Sequence, residues 1–68
     1  MKKVDAAGLS CPEPVILTKR AIEDQPKELE VTVDNNVSKE NVKRFLESSG
    51  YTVTIKEKDE DILINGKK

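Results

Sequence analysis

The chain has 68 residues, with twelve basic residues nearly cancelling thirteen acidic ones for a net charge of −1. So short a chain holds one small core and buries only about 60% of the surface its unfolded form exposes. A near-neutral charge with two aromatic residues, Phe45 and Tyr51, provides neither the basic excess nor the stacking platform of a nucleic-acid binder, and argues against direct nucleic-acid binding.

In chain order, Lys2 to Ala6 (KKVDA) reads as a short strand, and Gly8 punctuates the loop after it. Val15 to Glu23 (VILTKRAIE) has helical character: Val15, Leu17, Thr18, Ala21 and Ile22 share one arc of the wheel. Lys19 and Arg20 lie opposite, with Ile16 between them. Asp24 to Glu28 is a loop. Leu29 to Asp34 (LEVTVD) alternates apolar and polar residues, the pattern of a half-buried strand. Asn35 and Asn36 suit a turn. Ser38 is the expected N-cap of a second helix, with Val37 stapled onto Val42. Val42, Phe45 and Leu46 make its buried stripe, and Gly50 ends it. Tyr51, Val53 and Ile55 alternate again. A charged connection, Lys58 to Asp61, then leads into a last strand at ILIN.

The order is β-α-β-α-β-β. Each alternating strand needs cover on one face only, and two amphipathic helices supply it from one side. The expected fold is α/β, a two-layer α/β sandwich whose four-stranded mixed sheet is covered on one face by two helices. The first two strands should be parallel, joined by a right-handed crossover, and the last two should form a hairpin. No apolar run approaches the ~18 residues of a membrane span, and the two N-terminal lysines precede no apolar signal segment. The expectation is a cytoplasmic protein with no membrane association.

The chemistry concentrates in GLSCPEP, Gly8 to Pro14, which holds the sole cysteine, Cys11, and two of the three prolines. A single cysteine excludes an internal disulfide and suits a reducing compartment. The absence of histidine removes Cys-His dyads, Ser-His-Asp triads and the usual zinc sites. Proline is tolerated in the first turn of a helix, where the N–H groups have no intrahelical partner. Ser10 can be the N-cap, forming a capping box with Glu13; alternatively Cys11 is itself the cap and Pro12 opens the helix. Both registers put Cys11 at a helix N-terminus, where partial positive charge and free N–H donors favour the thiolate. Pro12 and Pro14 stiffen the turn. The same place would accommodate the negative charge of a persulfide. The opposing reading is a small, inert, buried cysteine.

Around the thiol, Glu13 is read as a capping residue. Ile16, Lys19 and Arg20 are a candidate docking patch, against an ordinary solvated helix face. Asp59, Glu60 and Asp61 lack the glycine and downstream glutamate of an EF-hand loop and read as a solvated turn. No metal site or cofactor is expected.

The stretch Val4 to Ile22, VDAAGLSCPEPVILTKRAI, with its Cys-Pro-x-Pro motif at Cys11, Pro12, Glu13 and Pro14, resembles the TusA/SirA-like family of small sulfur-carrier proteins. The resemblance covers essentially the whole chain, and residues 1–68 are read as a single TusA-like domain. It implies the fold derived above. It also implies that Cys11 accepts sulfane sulfur from a cysteine desulfurase or a rhodanese-like donor, holds it as a persulfide and passes it to an acceptor protein. Family routes include tRNA thiolation, molybdenum cofactor synthesis and sulfur oxidation. Such a relay is a sulfurtransferase activity that needs no metal or histidine. Classes outside that family reading are a thiol-based redox or regulatory domain, an RNA-binding module and an inert scaffold.

Overall fold

The computed structural model describes residues 2–9 and 13–68. Six elements follow one another: β1 (Lys2–Asp5), α1 (Glu13–Ala21), β2 (Glu28–Val33), α2 (Asn36–Ser48), β3 (Thr52–Lys58) and β4 (Asp61–Lys67). The strands form one four-stranded sheet in the order β1-β2-β4-β3. β1 runs parallel to β2, with Val4 beside Val31. β2 and β3 both run antiparallel to β4, with Val31 and Ile55 flanking Ile64. The two-layer mixed sandwich expected from the alternation is therefore the fold observed.

The alternating strands meet their cover as the pattern requires. Leu29, Val31 and Val33 are fully buried on the helix side of β2, and Ile62, Ile64 and Gly66 face the same way from β4. Val42 and Leu46 of α2 close over them, while Phe45 is only half-buried. Gly66 is a strand residue because of close packing. A Cβ there would lie 3.3 Å from both Leu29 and Leu46 and 3.4 Å from Tyr51. That glycine lets β4 run to Lys67, two residues beyond the expected ILIN. Tyr51 fixes the far end of the sheet by donating its hydroxyl to the Pro26 carbonyl at 2.7 Å.

The helix termini depart from the sequence expectation. α1 runs from Glu13, the first described residue after the thiol segment, and takes in Pro14, which is compatible with a first turn. It ends at Ala21, two residues before Glu23. There the chain tightens through Glu23 N–H to Arg20 O and Gln25 N–H to Ile22 O, and Gln25 takes φ 50°. In α2 the N-cap is Asn35, not Ser38: the Asn35 side chain accepts the Ser38 N–H at 2.8 Å. Ser38 lies inside the first turn, buried, and its hydroxyl has no partner among the described residues. With the cap moved three residues upstream, Val37 falls at the second helical position and is 65% exposed, so it makes no staple on Val42. The C-terminus follows expectation. Gly50 has φ 93°, its N–H bonds Glu47 O, and Tyr51 N–H bonds Leu46 O, a Schellman closure.

Candidate functional site

Because β1 and β2 are parallel and each feeds a helix, α1 and α2 both start at the same end of the sheet, the C-terminal end of those strands. The segment between β1 and α1 lies at that end. The four N–H groups of each helix start that lack intrahelical partners give the end a partial positive character.

The described part of the loop is tied down by the two strand ends. Ala6 N–H extends the β1–β2 ladder by bonding Thr32 O at 2.8 Å. Asp5 accepts the Ala7 N–H at 3.1 Å, and Leu9 N–H closes onto Ala6 O at 3.2 Å. Gly8 donates its N–H to Asp34 Oδ2 at 2.8 Å across 26 residues of chain. The other oxygen, Asp34 Oδ1, accepts from the Asn35 amide at 3.0 Å. These two donors, the Asn35 side chain first, hold the Asp34 carboxyl below its ordinary value of 3.8 although it is exposed. Gly8 has φ 82°, a conformation that a Cβ would disfavour.

On the helix side of the loop, Glu13 is exposed and Pro14 is fully buried. Thr18, also fully buried, satisfies its hydroxyl by donating to the Pro14 carbonyl at 2.8 Å. Ile16 is 44% exposed, with Lys19 and Arg20 exposed beside it. Of the residues singled out in the sequence, Gly8, Glu13 and Pro14 thus bracket one loop, and Ile16, Lys19 and Arg20 share the outer side of the helix that follows. Ser10, Cys11 and Pro12 lie outside the described residues, so the capping box and the choice of N-cap for α1 lie there too.

Asp34 and Asn35 are additions that the pattern of the sequence did not assign to this end. In the sequence Asp34 reads as the polar terminus of an alternating strand and Asn35 as a turn residue. The available signal was their place at the C-terminal end of a strand parallel to β1.

Among the described residues no group of three carboxylates or thiols is placed to hold a metal ion, and no helix is long and apolar enough to cross a membrane. A shallow depression of about 310 Å³ lies on the open face of the sheet, lined by Glu28, Glu30, Thr54, Lys56, Leu63 and Asn65. It belongs to the opposite layer from the helix starts.

The architecture defines a class: small α/β sandwiches with a loop-helix junction at the C-terminal end of two parallel strands. Comparison with known proteins narrows it. The family model described as sulfurtransferase TusA matches residues 2–65, nearly the whole chain. The chain belongs to the TusA sulfurtransferase family. A candidate sulfur carrier protein of Methanocaldococcus jannaschii is 48% identical over 62 residues, covering 88% of this chain and 83% of that protein. The crystal structure of a SirA-like protein from Desulfitobacterium hafniense superposes with a TM-score of 0.90 at 34% identity, covering 98% of this chain and 96% of that one.

Proposed function

We propose that this protein is a cytoplasmic sulfur carrier, in which residues 1–68 act as one domain and Cys11 bears the sulfur. The observation that carries the reading is the family match across residues 2–65, which includes the Cys-Pro-x-Pro motif. The start of α1 at Glu13, two residues beyond Cys11, supports it.

The chemistry is two successive displacements at sulfur. The Cys11 thiolate attacks the outer sulfur of a donor persulfide, R–S–SH. A new S–S bond forms, the donor's S–S bond breaks, and the donor leaves as its thiolate. A thiolate of the acceptor protein then attacks the outer sulfur on Cys11, and Cys11 is released as thiolate. No net oxidation occurs in either step, and no metal or cofactor is required.

The protein's part is to keep the thiol ionised and presented. A thiol of ordinary pKa near 8.5 is only a few per cent ionised at neutral pH, and a helix N-terminus lowers that value. Gly8, Ser10, Pro12 and Pro14 shape the turn, and Glu13 caps it without a chemical role. Ile16, flanked by Lys19 and Arg20, forms the docking patch for donor and acceptor, with the arginine suited to partner carboxylates. The donor is a cysteine desulfurase or a rhodanese-like protein. The acceptor belongs to a thiolation route such as tRNA modification or molybdenum cofactor synthesis.

Incubation with a cysteine desulfurase and free cysteine, followed by intact-protein mass spectrometry, tests this reading. The expected result is a gain of one or more sulfur atoms that reductant removes and that Cys11→Ala abolishes. Fast alkylation of Cys11 with no sulfur gained from desulfurase or rhodanese-like donors would instead indicate a redox or regulatory thiol.

A further inference from the structure

We infer that Asp34 is a positioning residue for the thiol loop: its carboxylate, oriented by Asn35 and through it by the first turn of α2, accepts the Gly8 N–H and anchors the loop three residues before Cys11 in the sequence.

Three consecutive bonds make up this clamp. Ser38 N–H donates to Asn35 Oδ1 at 2.8 Å. The Asn35 amide donates to Asp34 Oδ1 at 3.0 Å. Gly8 N–H donates to Asp34 Oδ2 at 2.8 Å. One end is the rigid start of a 13-residue helix, and the other is a peptide three residues before Cys11.

The conformation of Gly8 shows why the clamp matters. At φ 82° its peptide takes an orientation that glycine visits freely among many others. Among the described residues, a Cβ built there would meet no atom within 4 Å, so the space beside it is open. The turn closed by Leu9 N–H on Ala6 O places Gly8 at its third position, where a positive φ is required, and the charge-assisted bond to Asp34 ties that turn to the end of β2. The same carboxylate sits at the start of α2, where the helix dipole favours its negative charge. The Asp34 carboxyl is held below its ordinary range by these same donors, so the clamp is intact at neutral pH.

The inference rests on the reading of Cys11 as the sulfur-bearing thiol, and the test separates the two. Cys11 is loaded by a desulfurase and cysteine under single-turnover conditions, with quenched samples followed by mass, in the natural protein, Asp34→Ala and Asp34→Asn. Thermal unfolding of each establishes that loading is measured on folded protein. The asparagine oxygen can still accept the Gly8 N–H, although its NH2 then replaces the oxygen that accepts from Asn35, whereas alanine accepts neither donor. The expected result is loading about tenfold slower in Asp34→Ala and restored to within about threefold in Asp34→Asn, the scale of a small displacement of a reacting group. Loading of Asp34→Ala at the natural rate would overturn the inference. So would equal slowing in both variants, since the asparagine keeps an acceptor for the Gly8 N–H and alanine does not. If even the natural protein takes up no sulfur, the carrier reading is what fails. The rates of Cys11 alkylation by iodoacetamide in the three folded proteins then decide the clamp: the same ranking upholds it and equal rates overturn it.

Discussion

Asn35 and Ser38 exchange the roles their sequence suggests, and the exchange has a measurable consequence. Asn35 caps α2 through its side chain, so Asn35→Ala should cost about 1 kcal/mol of stability. Ser38 buries a hydroxyl with no partner among the described residues. Ser38→Ala should therefore leave stability unchanged or raise it by up to about 1 kcal/mol. Urea denaturation of the two variants checks the pair, and the reverse ranking would restore Ser38 as the cap. Asp34 carries a pH dependence at the same scale. Its carboxyl is lowered in the folded protein by the Asn35 amide and the Gly8 N–H. The stability it contributes is complete above the ordinary carboxylate value of 3.8 and is lost as pH falls through the lowered folded value. Thermal unfolding followed from about pH 5 to about pH 2 should show a steeper loss for the natural protein than for Asp34→Asn, and parallel curves would remove Asp34 as a source of acid sensitivity.

Helices and strands were legible in the sequence to different depths. The strands were plain because period-two alternation in LEVTVD and YTVTIKE admits one buried face, and Leu29, Val31 and Val33 are fully buried on it. Helix ends were less plain because a cap depends on which residue leaves extended geometry last. Asn35, Asn36 and Ser38 all belong to the set of capping residues, and composition alone does not rank them. The C-terminal ends differ in the same way. α2 closes on Gly50 at φ 93°, a residue suited to that conformation, whereas the turn after α1 places Gln25 at φ 50°. Gly50→Ala should thus destabilise by about 1 kcal/mol, and Gln25→Gly should be neutral or stabilising by up to about 1 kcal/mol. Equilibrium unfolding measures both, and a destabilised Gln25→Gly would mean that side-chain contacts outweigh backbone strain there.

At the scale of the molecule, parallel β1 and β2 place two helix starts at one end, and Gly8, three residues before the thiol in the sequence, is tied there to Asp34. The shared end of the helix starts follows from element order, which the sequence carried, but the Gly8–Asp34 bond joins residues 26 apart and has no local signature. On the open face of the sheet, Glu28 and Glu30 lie near Lys56 around the shallow depression. The most direct measurement of the central claim is site-resolved: load the protein from isotopically labelled cysteine and a desulfurase, digest without reductant, and locate the label by tandem mass spectrometry. The account predicts labelled sulfur on the peptide containing Cys11, released by a thiol reductant and absent in Cys11→Ala. An unlabelled Cys11 peptide in a folded protein whose thiol alkylates readily would contradict it.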